Sequence, residues 1–248
     1  MATFFLAPYP TFGTAKNRKS PAFQKRSPYF WWWEYLRRNQ DYVDCCASGG
    51  QGPLAHLYRD FGDVRDKEFR VWWQEERRGA RLFGERSLAV KLHEMESAEH
   101  WHPDWTKDKI MVVVFPLEMS KRRLLFEARR LLDERHTGRK GRPALARVQS
   151  TARYKLSRNY TTANLETALS VYDLWCANEA KPKSERLKQW EIGVELKLNA
   201  VAIKDALSDL KQDRAVGRNI LGATVKRYLT QAQKTIKSLE QGVFPVAK

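Results

Sequence analysis

The chain has 248 residues, 42% of them hydrophobic and 12% aromatic, and its 45 Lys and Arg outnumber 29 Asp and Glu for a formal net charge of +16. That length and apolar content suffice for one large core or two modest ones and exclude a wholly disordered chain. The opening Phe4-Phe5-Leu6 is too short for a secretion signal and lacks a preceding basic region. No apolar run approaches the roughly 20 residues that span a bilayer, so an intracellular, cytoplasmic protein with no membrane partner is expected.

Residues 1–27 carry Lys16, Arg18, Lys19, Lys25 and Arg26 with no acid, and Pro8, Pro10 and Pro21 interrupt them. This composition suits a basic N-terminal arm, either mobile or ordered in an extended form. Ser27 as cap, Pro28 at the first helical position and bulky residues at helical spacing predict a helix from Pro28 to about Cys46. The run Ser48 to Pro53 breaks it. Leu54, Leu57, Tyr58 and Phe61 predict a short second helix stopped by Gly62, and Phe69, Trp72 and Trp73 a third that ends near Arg78-Gly79. Consecutive helical residues point about 100° apart, so Trp31, Trp32 and Trp33 are not expected to all face inward. They are the candidate protein-interaction residues. Cys45, Cys46 and Cys176 offer neither a disulfide framework nor zinc-site spacing; reduced thiols are expected, with the adjacent pair as small buried hydrophobes.

His93, Glu94, Glu96, Glu99, His100, His102 and Asp104 crowd a short segment with metal-ligand side chains, yet their spacing matches no zinc template and suits a surface loop. No metal or cofactor is expected. Ile110 to Phe115 is a continuous apolar, β-branched run ended by Pro116 and reads as a buried strand, with Arg86 to Leu92 as its partner. The fold class expected is therefore α+β, predominantly helical, with residues 28–135 forming a Trp-rich helical module around a short sheet.

Ser120 would cap a helix whose apolar positions Leu124, Leu125, Ala128, Leu131 and Leu132 leave Lys121, Arg122, Arg123, Arg129 and Arg130 for its other sides. Next comes a basic loop or linker over 136–158, with Arg139, Lys140 and Arg142 near its start and Arg147, Arg153 and Lys155 beyond. Its Gly and Pro punctuation resembles a minor-groove hook and equally an ordinary flexible linker. From Lys121 to Arg158 thirteen Lys and Arg face only Glu127, Asp133 and Glu134, so ten of the sixteen net charges sit in this stretch. Clustered cations of this kind bind polyanions, because neutralised phosphates release condensed counterions; the plainer alternative is a solvated linker.

Residues 159–248 read as a helical domain. Leu165, Ala168, Leu169, Tyr172 and Cys176 share one helix face, with Asn164 as cap and Lys181-Pro182-Lys183 as stop. Trp190 to Lys204 has helix-turn-helix spacing: Ile192 and Leu196 on a first helix, small Gly193 for close approach, Leu198 in the turn and Asn199 as cap of a second helix locked by Ile203 and Leu207. That arrangement turns Ala200, Val201, Lys204, Asp205 and Ser208 outward. Lys197 replaces the usual turn glycine, and Asp205 and Asp209 would repel phosphate. A final helix is expected from Ala223 to about Gln241, ended by Gly242.

Tyr29 to Cys46, Leu57 to Val64, Trp72-Trp73, Arg78 to Phe83, Val171 to Trp175, Trp190 to Leu198, Lys226 to Ile236 and Gly242 to Pro245 resemble a family of accessory proteins from proteobacterial prophages, conjugative elements and plasmids. The beginning of the chain also resembles a short domain described as transcriptional-regulator-like. The resemblance implies a mobile-element accessory protein and carries over no catalytic residue. No phosphate-cradling glycine loop, serine elbow or cysteine nucleophile pattern is present, so a non-enzymatic protein is expected. The leading expectation is nucleic-acid binding, DNA first, through Arg122, Arg123, Arg129, Arg130, Arg139, Lys140, Arg142, Arg147, Arg153 and Lys155, with Lys204 meeting bases. The alternative is an inhibitor that binds a host nucleic-acid-guided defence complex; the third is a metal-dependent nuclease using His93, His100 and His102.

Overall fold

A computed structural model describes residues 3–86, 94, 95, 97, 99, 101, 110–135, 150–157 and 160–246. Helix α1 (Pro28–Leu36) begins where the sequence places it, with Ser27 Oγ accepting the Tyr29 N–H at 3.3 Å and Pro28 in the first turn. It does not run on to Cys46. Asn39 takes an extended conformation and its Oδ1 accepts the Tyr42 N–H at 2.8 Å, which starts α2 (Gln40–Ala47) on a new axis. Helices α3 (Ala55–Phe61), α4 (Phe69–Gln74) and α5 (Arg78–Phe83) complete the N-terminal helices.

All three tryptophans of α1 are buried: Trp31, Trp32 and Trp33 are 4%, 1% and 3% exposed. The expectation that one of them serves a surface contact is overturned, because each direction around the helix is covered by a different segment. Trp31 Nε1 donates to the Lys25 carbonyl at 2.8 Å, in a short 3-10 turn (Pro21–Arg26) of the arm. Trp32 lies against Phe83 and Phe244, each with ring centroids 5.2 Å away. Trp33 packs on Phe69 at 5.4 Å, and the Arg37 guanidinium covers its ring at 4.6 Å. The basic arm thus takes the ordered of its two expected forms, and Phe5 packs on Tyr29 and Trp73 at 5.7 and 5.8 Å.

The chain divides into two units, one made of Met1–Ser87 with Ser150–Lys248 and the other of Leu88–Gln149. The boundaries expected at 135 and 158 fall elsewhere, because the two ends of the chain share one core. That core joins α1 to α7 (Thr162–Glu179) and to α10 (Lys211–Ser238) through Tyr35, Leu165, Ala168, Ala232, Ile236 and Phe244. Polar bonds fix the same contacts: Tyr35 Oη donates to the Leu165 carbonyl at 2.9 Å, and Arg38 grips Asp173 with two bonds of 2.7 Å. Asn39 Nδ2 donates to the Ile236 carbonyl at 3.0 Å and to Glu240 at 3.1 Å.

The expected central sheet is corrected too. Ile110 to Phe115 forms no strand and is largely exposed, with Val114 at 85%. The sheet among the described residues is β1 (Thr3–Phe4) paired antiparallel with β2 (Glu85–Arg86); residues 87–92 of the expected partner strand lie outside the described residues. Glu85 is buried there and accepts from the Thr151 N–H at 2.6 Å, Thr151 Oγ1 at 2.9 Å, the Ala152 N–H at 3.1 Å and Ser150 Oγ at 2.6 Å. One carboxylate therefore ties the point where the chain leaves the first unit to the point where it returns.

In the C-terminal half the α7 cap is Thr161, whose Oγ1 accepts the Asn164 N–H at 3.2 Å; Asn164 is inside the helix. Helices α8 (Gln189–Glu195) and α9 (Ala200–Ala206) precede α10, which begins twelve residues before the expected Ala223. Among the described residues no helix is long and apolar enough to cross a membrane.

Asn39 combines a helix cap with a buried bridge to α10. Replacing it with Ala is expected to lower stability by about 2–3 kcal/mol, the loss of a cap plus unpaired buried groups. Asn39→Asp keeps the cap acceptor but sets a carboxylate against the Ile236 carbonyl and Glu240, so it should destabilise as well; urea denaturation of both variants measures this.

Candidate nucleic-acid interface

Helix α6 (Lys121–Arg135) lies in the second unit and contains no buried residue. Ser120 caps it as expected, its Oγ accepting the Arg123 N–H at 3.4 Å. Leu124, Ala128 and Leu131 of its apolar stripe are half-buried, whereas Leu125 is 61% exposed and Leu132 is exposed too. The expected cations Lys121, Arg122, Arg123, Arg129 and Arg130 are all exposed.

Their electrostatics are not those of a helix charged for its own stability. Lys121, Arg122 and Arg123 occupy the first turn, which holds no acid, and Asp133 and Glu134 fall in the last. Both placements oppose the helix dipole, at about 0.3–1 kcal/mol for each charge. Lys121, Arg122 and Arg123 make no ion pair with any described residue. Arg129 pairs with Asp133 at 3.9 Å and Arg130 with Glu127 at 3.0 Å, but these contacts are exposed and worth roughly 0.3–0.5 kcal/mol, so a stronger anion displaces them.

One residue of this face escaped the sequence reading. Phe126 is 67% exposed, and Arg122, Arg123, Arg129 and Arg130 stand four and three residues before it and three and four after it. Residues at those spacings share a helix face, so Phe126 shares its face of α6 with four arginines. A helical wheel of Lys121 to Arg135 shows this placement; a search for an apolar stripe passes over it, because Phe126 lies on the opposite side from that stripe.

The other expected contacts are dispersed. Arg139, Lys140, Arg142 and Arg147 lie outside the described residues, as do His93, His100 and His102. In the first unit, Arg153 is committed to Asp60 at 2.7 Å, and Asp60 also accepts from Tyr154 Oη at 2.6 Å. Lys155 is exposed and unpaired among the described residues.

Lys204 is exposed on α9 together with Ala200 and Val201, the last at 71%. Asn199 caps α9 as expected, Oδ1 accepting the Ala202 N–H at 3.1 Å. Two details differ. Gly193 faces Leu221 and Val225 of α10, and the close approach to α9 is made by Gly217, where a Cβ would come within 2.3 Å of the Ala206 nitrogen. Leu207 does not lock α9; the helix stops at Ala206, Leu207 is 63% exposed, and Ala202 and Ala206 pack on Leu221 instead. The turn closes with the Leu198 N–H on the Gly193 carbonyl at 3.1 Å and with Lys197 in the left-handed region at φ 51°.

A cleft of about 210 Å³ in the first unit is lined by Arg38, Asn39, Asp41, Tyr172, Trp175 and Lys237, among others. Its charged groups are paired with one another or with neighbours: Arg38 holds Asp173, and Lys237 holds Asp41 at 3.1 Å and Glu240 at 2.9 Å. Cys45 and Cys46 are buried free thiols as expected, and burial pushes the Cys46 thiol up to about 11. No group of three or more His, Cys, Asp or Glu that could hold a metal ion occurs among the described residues. No protein-family model, no curated protein and no solved structure matches the chain.

Lys197→Gly relieves a left-handed strain of about 1–2 kcal/mol while giving back part of it as chain entropy, so a net gain of roughly 0.5–1 kcal/mol in denaturant stability is expected. Thiol labelling under native conditions at pH 8 should modify Cys176, which is half-buried, well before Cys45 and Cys46, whose reaction should await unfolding.

Proposed function

We propose that this chain is a non-enzymatic nucleic-acid-binding accessory or regulatory protein, with α6 as its principal contact. The observation that carries this reading is the first turn of α6: three adjacent exposed cations, Lys121, Arg122 and Arg123, without an ion pair among the described residues and set against their own helix dipole. A phosphate backbone relieves both conditions at once, through charge neutralisation and counterion release. Placement on a phage or other mobile element rests on the sequence resemblance. Lys204, with Ala200 and Val201 beside it on α9, is a secondary contact in this reading, and the neighbouring Asp205 and Asp209 make it the weaker of the two.

A second reading is favoured by a separate observation, the apolar surface of the same unit. Val114, Leu117, Leu125 and Leu132 are exposed near the basic cluster, a composition suited to a protein partner. In that reading the chain binds a host nucleoprotein complex, such as a nucleic-acid-guided defence assembly, and α6 takes the interaction role once expected of Trp31, Trp32 and Trp33. Leu125→Gln with Leu132→Gln would then weaken complex formation while leaving the charge of α6, and so its affinity for bare nucleic acid, unchanged.

The test of the first reading is salt dependence. Log K should fall linearly with log salt, by about 0.9 per duplex phosphate neutralised, or about 0.7 on a single strand. Replacing Lys121, Arg122 and Arg123 with Ala should flatten that slope by about 2–3 and weaken binding at low salt. Helix content should hold, because Ala is the better helix former. Binding that ignores salt, or a slope unchanged in the triple variant, removes α6 from the role.

A further inference from the structure

We propose that the nucleic acid held by α6 is unpaired, with a base stacked on Phe126 and its flanking phosphates held by Arg122, Arg123, Arg129 and Arg130. This rests on the reading of α6 as a nucleic-acid contact and specifies its substrate class.

The argument begins from a placement that core packing does not explain. Phe126 lies about half a turn from Leu124, Ala128 and Leu131, the half-buried side of α6, and is two-thirds exposed. A large ring there gains nothing from burial within the described fold. A surface built only to meet phosphates has no use for it either, since the duplex presents a charged backbone and keeps its bases stacked inside. A single strand is different. Its bases expose their π-faces, and proteins that hold one without reading its sequence combine a cationic track with aromatic platforms. The α6 face has both: an aromatic ring at its centre and a pair of guanidinium groups one turn to either side. From Arg122 to Arg130 is about 12 Å along the helix axis, room for one stacked base between two flanking phosphates. Two of the four arginines are paired, Arg129 with Asp133 at 3.9 Å and Arg130 with Glu127 at 3.0 Å, in exposed contacts that a phosphate can displace.

The chemistry is shared by single-stranded DNA and single-stranded RNA, so both are probes, with duplex DNA as the comparison. Affinities of the full chain for the three labelled oligonucleotides are measured at fixed salt. We expect at least one single strand to bind more tightly than duplex. Phe126→Ala should weaken that binding about 5- to 150-fold, the range of one base–aromatic stack, with little change in the salt slope. Phe126→Trp should restore it, and duplex affinity should stay within about twofold throughout, because duplex binding is electrostatic. Ala at an exposed helical site leaves the fold intact, which circular dichroism verifies. If Phe126→Ala binds single strands as well as the parent while the salt slope persists, the stacking proposal falls and the nucleic-acid reading stands on charge alone. If no probe binds at low salt, both fall.

Discussion

The fold depends on the burial of α1 on every side. Tyr29, Trp31, Trp32, Trp33, Tyr35 and Leu36 are all buried in a helix of nine residues, and Phe30 and Glu34 are half-buried, so no face of it is fully open to solvent. A helix apolar all round is stable only when something covers it all round. The N-terminal arm, α3 to α5, α7, the end of α10 and the tail at Phe244 supply that cover. Truncation of a single such aromatic removes about 3–5 kcal/mol, a large part of the net stability of a protein this size. The two ends of the chain are consequently bound into one unit, and the polar bonds of Tyr35, Arg38 and Asn39 set the register in which they meet.

None of the described residues of Leu88–Gln149 belongs to the core around α1, and within the first unit Glu85 binds Ser150, Thr151 and Ala152. Among the segment's described residues Val114, Leu117, Leu125 and Phe126 are exposed, and α6 carries Lys121, Arg122, Arg123, Arg129 and Arg130 at its surface. In the proposed reading recognition lies on this segment, as binding residues commonly lie on connecting segments held by a stable scaffold.

Within that segment, α6 carries a charge order that weakens it as an isolated helix. Cations in the first turn and acids in the last lower its own stability, and its exposed Phe126 and Leu125 add no core. In the proposed reading, an element so arranged is explained by what binds to it. The proposed polyanion meets the cations; the proposed unpaired base meets the ring that the cations surround. The α8–α9 pair, by contrast, is locked onto α10 by the close approach at Gly217, and its outward face mixes Lys204 with Asp205 and exposed Val201. Its charge is nearly balanced, which makes it the lesser electrostatic attraction for phosphate.

The sequence by itself determined the local structure. The Ser27–Pro28 start of α1, the Ser120 cap of α6, the Asn199 cap of α9 and the exposure of the cations on α6 all depend on neighbours a few residues away, and all were legible. What only the tertiary structure decided involves distant partners. Periodicity allowed Trp31, Trp32 and Trp33 no common inward face, yet all three are buried, because the arm folds back over the side that the rest of the core leaves open. Ile110 to Phe115 has the composition of a strand, but composition supplies no ladder partner, and the segment is largely exposed outside any strand. Asn39 is an ordinary polar residue until α10, almost two hundred positions later, presents a carbonyl to it. Caps and helix faces follow from short-range sterics and hydrogen bonds, whereas enclosure and strand pairing follow from which distant surfaces the chain brings together.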